Sequence, residues 1–300
     1  MSKPNKQSWG FTFSHKFALE LGLDSNETLA VLANYGFFSE VRLCAYWDTI
    51  ETSPHEFNFE ALDKLVAIAG KGGLKITLAV GRKVPRWPEY HEPDWARNKS
   101  REYLEDRAIY FIERVVDRYK DIDHITSWQI ENEPLLNFGI TDYVLTPEYL
   151  RRAVESVRNL DQRPITITVS AEKGQIKTEA ELADIVGINI YPFVYDNVLH
   201  RYIDQRLANQ EYKSRFEKIG KDIIIAELQL EPWGPGSILS MSRAEQTKSM
   251  NLQRAEEHIQ LAKTTSIETV WIWGIEWWYH NTIHRNDMNI EQLLNLLNKK

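Results

Sequence analysis

Residues 125–134 read Ile-Thr-Ser-Trp-Gln-Ile-Glu-Asn-Glu-Pro, a mostly apolar run that ends in three polar residues and a proline. Such a run suits a parallel strand that is buried on both faces. A carboxylate at the end of a buried strand is costly unless it faces a polar cleft or a partner charge. The segment therefore predicts a strand, Ile125–Glu133, whose carboxyl end opens into a polar site.

Seven further segments of this kind occur along the chain, each followed by a longer amphipathic stretch. The eight predicted strands are Gly10–Phe13, Val41–Ala45, Lys75–Gly81, Ile125–Glu133, Ile165–Ser170, Ile185–Tyr191, Asp222–Leu228 and Thr269–Gly274. Eight strands alternating with helices predict a single α/β domain, a (β/α)₈ TIM barrel over residues 1–300. A doubly wound open sheet is the alternative, but the first strand lacks the glycine-rich turn that usually follows it there.

Composition narrows the class of protein. The 300 residues are 43% hydrophobic with a net charge of −7, which argues for a large core and against a nucleic-acid partner. Cys44 is the single cysteine, so no intramolecular disulfide forms. We expect no membrane span and no cofactor, and the sequence does not indicate an oligomeric state. The first residues lack an apolar leader, which predicts a cytoplasmic protein; a secreted or anchored one whose leader had been removed would look the same.

Two predicted strands end in a glutamate that could take part in chemistry. Glu133 ends the fourth predicted strand and Glu227 lies at the end of the seventh, so their side chains can face each other across the barrel. Cleavage of a glycosidic bond needs one protonated and one ionised carboxyl group, and retaining enzymes hold them ~5–5.5 Å apart. We predict this separation. The alternative is that both glutamates are structural ion-pair partners.

Aromatic residues are frequent, with ten Trp and thirteen Tyr, and many fall at predicted strand ends and in polar loops. Flat aromatic faces suit stacking on sugar rings, which expose patches of C–H bonds. The tryptophans expected at such a rim are Trp47, Trp87, Trp95, Trp233, Trp277 and Trp278.

The segment Asn132-Glu133-Pro134 after a strand resembles the signature of clan A, the large clan of retaining barrel glycosidases, whose best-known member is family 5, the cellulases. Further resemblances are an Arg42…Trp47 pattern, Ala226-Glu227, and Trp271-Ile272-Trp273 on the eighth strand. The resemblance covers the second to the eighth strand. It implies a retaining β-glycosidase that cleaves β-linked oligo- or polysaccharides.

The same resemblance implies roles for individual residues. Glu133 would be the acid/base, with a pKa raised by Glu227 and partial burial, and Glu227 would be the nucleophile. Asn132 would bind the sugar 2-hydroxyl. Arg42 would lie beneath Glu227 and hold its charge, and Tyr191 would donate to it. The further residues expected to bind substrate are Trp273 as a platform, Trp47, Trp87 as a wall, and Glu276, which resembles a glycone-gripping glutamate of family 1.

The sequence departs from the family 5 pattern at two places, and two other functions would fit it. Asn189 stands where family 5 has histidine on the sixth strand, and Ala79–Arg82 lacks the histidine expected near the third. We expect the loop Arg86–His91 to supply the polar contacts to the sugar that these departures remove. A carbohydrate-binding barrel without catalysis, or a transglycosylase with the same mechanism, would share most of these features. His280 and His284 have the i, i+4 spacing of a zinc site, but we predict neither a helix nor a metal there.

Overall fold

Eight parallel strands close into a barrel in the computed structural model, which describes residues 7–173 and 176–299. The barrel strands are β1 Ser8–Phe13, β2 Glu40–Ala45, β3 Lys75–Val80, β4 Ile125–Ile130, β5 Ile165–Ser170, β6 Ile185–Ile190, β9 Asp222–Gln229 and β10 Thr269–Trp273; β7 Phe193–Asp196 and β8 Arg201–Asp204 form a separate antiparallel hairpin. β10 pairs with β1, so the ring has no free edge. The predicted (β/α)₈ barrel is therefore confirmed, and the open sheet is excluded.

Helices occupy the connections between the strands. Their bounds are α1 His15–Glu20, α2 Ser25–Asn34, α3 Trp47–Ile50, α4 Glu60–Lys71, α5 Arg101–Tyr119, α6 Pro147–Leu160, α7 Lys177–Leu182, α8 Asn209–Glu217, α9 Arg243–Ser249, α10 Leu252–Thr264, α11 Ile275–Ile283 and α12 Ile290–Asn298. In the described parts of the chain, none of them is long and apolar enough to span a bilayer.

Local sequence explains where the longer helices begin. The Ser100 side chain accepts from the backbone N–H of Tyr103 at the start of α5. Thr146 does the same for Tyr149 in α6, and Pro147 takes the first helical position, where its missing N–H costs nothing. Both helices bury one apolar stripe against the barrel, which fixes the strand ends that they connect.

The strands are buried on both faces, as the apolar runs predict. Every residue of β5 is buried, and β2 and β3 are buried from their second residue onward. The fourth strand ends at Ile130, three residues earlier than predicted, because Glu131 and Glu133 leave the extended conformation. The hairpin β7–β8 and the short helices α1, α3, α8 and α11 were not predicted, since none carries a long enough periodic pattern.

Candidate active site

The chain turns sharply where β4 ends, and this turn carries Asn132 and Glu133. Glu131 and Glu133 have left-handed backbone angles, with φ of 58° and 43°, which a non-glycine residue keeps only where its surroundings hold it. The Glu133 N–H donates to Oγ1 of Thr168 (2.9 Å), whose hydroxyl donates to Oδ1 of Asn132 (2.8 Å). Thr168 of β5 therefore holds the turn in place.

Glu227 lies in β9, and one cation and one phenol hold its carboxylate. Nη2 of Arg42 donates to Oε1 at 2.6 Å, and the Tyr191 hydroxyl donates to Oε2 at 2.6 Å. Arg42 is fully buried, so its charge is poorly screened. Arg42 and Tyr191 thus occupy the positions predicted for them, and together they orient both oxygens of an anion.

A buried amide connects Arg42 with Asn132. The Arg42 guanidinium also donates from Nη1 to Oε1 of Gln129 (2.9 Å) and from Nε to Oγ1 of Thr12 (3.0 Å). The Gln129 Nε2 group donates in turn to Oδ1 of Asn132 at 3.2 Å. Side chains from β1, β2, β4 and β9 therefore form one hydrogen-bonded layer beneath the ends of β4 and β9.

Glu133 has a different environment from Glu227. Burial raises the pKa of Glu133 to about 8, and the charge of Glu227 adds to the rise, while Lys83 opposes it. The sequence analysis predicted that burial and the charge of Glu227 would raise this pKa, and burial has the larger effect. Nζ of Lys83 donates to the backbone carbonyls of Glu133 and Leu136, both at 2.9 Å. The two carboxyl groups are thus close enough to interact, and burial and the charge of Glu227 both favour the protonated form of Glu133.

Glu131, the residue before Asn132, ties the loop after β3 to the end of β4. Its carboxylate accepts from the backbone N–H groups of Arg82 (2.9 Å) and Lys83 (2.6 Å) and from the Tyr149 hydroxyl (2.7 Å). A Cβ atom at Gly81, where φ is 148°, would lie 2.3 Å from this carboxyl group. Glu131 is fully buried and acts as an anchor for the loop.

The anchored loop folds into a small hairpin that brings Arg86 and Glu89 into the site. His91 N–H donates to the Arg82 carbonyl (2.8 Å) and Val84 N–H to the Glu89 carbonyl (3.0 Å). Oε2 of Glu89 accepts from Nδ2 of Asn132 at 3.2 Å. Burial raises the pKa of Glu89 to about 7, with Lys83 opposing the rise. A third carboxyl group therefore borders the site.

Arg86 lies between two aromatic rings and joins the loop to β10. Its guanidinium carbon is 4.2 Å from the ring centre of Trp273 and 3.8 Å from that of Phe17. Its Nη1 donates to Oε1 of Glu231 at 2.5 Å, and the Trp273 indole donates to the same oxygen at 2.8 Å. Arg86 therefore covers one face of Trp273, and the residue as a whole is 6% exposed.

The structure corrects the role predicted for Glu276. This side chain is fully buried in the first turn of α11, accepts from the Ser14 N–H and lies 3.6 Å from Nη2 of Arg86. Burial raises its pKa to about 7, and the charge of Arg86 opposes the rise. Because Glu276 exposes no surface, it supports Arg86 instead of gripping a sugar directly.

The predicted aromatic rim is correct only in part. Trp87 is 59% exposed and packs on Phe138, which in turn contacts Trp233 beside Tyr191. Trp47, predicted to bind substrate, is fully buried: its ring stacks on Phe111 of α5 and its N–H donates to Glu51. Three further tryptophans face inward with their N–H groups bonded to protein, namely Trp95, Trp277 and Trp278.

The expectation that no helix contains the pair His280 and His284 is wrong. His280 lies in α11, whose last residue precedes His284, and their ring centres are 4.2 Å apart. Among residues 7–173 and 176–299, no group of three or more His, Cys, Asp or Glu side chains could hold a metal ion.

The sequence analysis did not predict Gln129 and Glu231 as site residues, and it included Arg86 and Glu89 only as members of the loop Arg86–His91. Gln129 and Glu231 lie within or just past predicted strands, so a polar residue in an apolar run was a usable signal. The roles of Arg86 and Glu89 within their loop could not be predicted individually, because their positions depend on how the loop folds.

Part of this chain is similar in sequence to known glycosidases. A family model described as glycosyl hydrolase family 10 matches residues 43–166. The β-galactosidase BgaH of Haloferax lucentense is 30% identical over an alignment that covers 38% of this chain and 21% of that protein. The chain thus spans about a fifth of the length of this relative.

Solved structures agree with the fold. Xylanase 10B from Thermotoga petrophila RKU-1 superposes with a TM-score of 0.62 at 17% identity, covering 97% of this chain and 94% of that one. A GH10 endoxylanase retrieved from a sugarcane soil metagenome gives 0.65 at 15% identity, with 98% of both chains covered. The family 10 match over residues 43–166 supports the predicted relation to the clan A barrel glycosidases, and the assignment to family 5 is not supported.

Proposed function

We propose that this chain is a retaining β-glycosidase, with residues 1–300 acting as one catalytic domain. The observation that carries the proposal is the contrast between Glu133 and Glu227 in one cleft. Glu227 is paired with Arg42 and Tyr191 as an anion, whereas Glu133 has a pKa of about 8. One ionised and one protonated carboxyl group are what double displacement at a glycosidic carbon needs.

In the first half of the reaction Glu227 attacks the anomeric carbon and forms a glycosyl ester. The bond from that carbon to the leaving oxygen breaks, and Glu133 delivers its proton to this oxygen. The buried network of Arg42, Gln129 and Thr12 keeps the attacking carboxylate oriented without reorganisation.

In the second half, water attacks the anomeric carbon and Glu133 takes its proton. Glu133 can act as a base at this stage because esterification removes the negative charge of Glu227, which is one cause of its raised pKa. The ester bond breaks, Glu227 leaves as a carboxylate, and the sugar is released with its original anomeric configuration.

Within the clan, we favour family 10 over family 5, on the match over residues 43–166. The names of the similar proteins, xylanases and β-galactosidases, support β-linked oligo- or polysaccharides as the substrate class. Trp87 and Trp233, on the loops after β3 and β9, would contact sugar units beyond the cleaved bond.

The test is the stereochemistry of hydrolysis. The protein is incubated with a panel of aryl β-glycosides, including xyloside, galactoside, glucoside and mannoside, and the first product is observed by proton NMR. We expect the β-anomer to form first with at least one sugar. An α-anomer as the first product would contradict the mechanism, and sugar binding without cleavage of any glycoside would favour a non-catalytic barrel. Products elongated at high acceptor concentration would identify a transglycosylase.

A further inference from the structure

Glu89 is a third carboxyl group at the site, and the double-displacement reaction does not use it. It is 8% exposed, and its one hydrogen bond among the described residues is from Nδ2 of Asn132 to Oε2. Oε1 has no such bond and is not sealed from solvent. The charges of Glu227 and Lys83 both act on Glu89, so it lies beside the reacting groups.

The position of Glu89 is fixed before any ligand binds. Glu89 and Arg86 both have left-handed backbone angles, with φ of 72° and 101°. The Glu89 N–H donates to the Arg86 carbonyl at 2.8 Å. From the other side the loop after β4 closes on it: a Cβ atom at Gly139 would lie 2.8 Å from that of Glu89. Such strained backbone persists at sites where a side chain must be aimed.

Asn132 defines which part of a sugar this carboxylate meets. Its Oδ1 accepts from Thr168 and Gln129, so the amide orientation is settled and Nδ2 faces Glu89 with one hydrogen unused. The anomeric carbon must lie between Glu133 and Glu227, and its neighbours in the ring are O5 and C2. An N–H donor beside a carboxylate acceptor complements a hydroxyl group, whereas O5 has no hydrogen to donate.

We propose that Glu89 is a specificity-determining residue that accepts a hydrogen bond from the hydroxyl group at C2 of the sugar bound for cleavage. The inference rests on the proposed glycosidase function. It defines the substrate class as β-glycosides with a free C2 hydroxyl, and it implies that 2-deoxy analogues, which lack this donor, gain nothing from Glu89.

The test compares matched aryl β-glycosides with and without the C2 hydroxyl, in the sugar series that the wild type cleaves best. Wild type, Glu89→Ala and Glu89→Gln are measured, with Glu60→Gln on the exposed face of α4 as the matched control. We expect Glu89→Ala to lower kcat/KM for the hydroxylated substrate by roughly 10–100-fold, as for loss of a hydrogen bond to a charged group. The rate on the 2-deoxy substrate should change much less, so the preference between the two collapses.

Glu89→Gln keeps an amide oxygen that can accept from Asn132, and it preserves the loop if the alanine variant fails to fold. We expect it to retain part of the preference. The double variant Glu89→Ala/Asn132→Ala should lose less than the sum of the single losses, because both contacts serve one hydroxyl.

Equal losses on both substrates would overturn the inference and leave Glu89 as a scaffold residue. The proposed function fails separately: a wild type that cleaves no β-glycoside contradicts it whatever the Glu89 variants do.

Discussion

The ends of β4 and β9 present the same side chain to one cleft in two different states. At β9, Glu227 has a buried guanidinium on one oxygen and a phenol on the other. At β4, Glu133 has no cation on its carboxyl group among the described residues, and Lys83 instead binds its backbone carbonyl. Two chemically identical residues thus have different electrostatic partners, and each prediction below alters one side of this comparison.

The largest effect should follow from removing the anion at β9. Glu227→Gln keeps the shape but cannot form a glycosyl ester, so kcat/KM on the best aryl β-glycoside should fall by at least about 10⁴-fold. Initial rates against wild type and Glu60→Gln measure it. A variant with more than a tenth of wild-type activity would remove Glu227 from the mechanism.

Removing the acid at β4 should depend on the leaving group. Glu133→Ala should lose roughly 10²–10⁴-fold on substrates with poor leaving groups and far less on activated aryl glycosides, which need no protonation. Added azide should restore turnover and give a β-glycosyl azide, detectable by mass spectrometry. Equal losses on both substrates without azide rescue would contradict the role of acid/base.

Weakening one contact of Glu227 should have an intermediate effect. Tyr191→Phe removes the 2.6 Å hydrogen bond to Oε2, and we expect kcat to fall by about 10–100-fold. Tyr195→Phe in β7 is the matched control, since the Tyr195 ring packs on Tyr202 and, among the described residues, its hydroxyl group makes no hydrogen bond to Glu133 or Glu227. If the two variants behave alike, Tyr191 does not act through Glu227.

The smallest effect is a displacement of the pH profile. Glu133 must be protonated to act as an acid, so kcat/KM should fall as the pH rises through about 8. Lys83 lowers the pKa of Glu133, and Lys83→Met should therefore move this limb to higher pH. Rates between pH 5 and 10 test the sign; a limb that moves to lower pH would contradict it.

The barrel could be predicted from the sequence because buried parallel strands appear as near-continuous apolar runs. Ile165–Ser170 was predicted with its observed bounds, and the other strand starts differ by at most two residues. The strand-end glutamates were recognisable for the same reason, as charges that end apolar runs.

Loop residues could not be placed in this way. Arg86 and Glu89 reach the site through left-handed backbone angles and through bonds between the loop and Glu131, which lies 42 or more residues further along the chain. Trp47 and Trp95 belong to short elements that follow strands, where no alternation of faces indicates whether a ring lies inside or outside. Their burial is a result of packing against α5.

The carboxylate of Glu131 also has a consequence for protein engineering. Specificity is often altered by exchanging one contiguous loop between related barrels, but here the loop after β3 depends on Glu131 and, through it, on Tyr149 in α6. A transplant of residues 81–92 alone would leave its anchor behind in the donor protein. The smallest unit that can be exchanged at this site is therefore discontinuous in sequence. It comprises residues 81–92, the turn that carries Glu131, and the part of α6 that carries Tyr149.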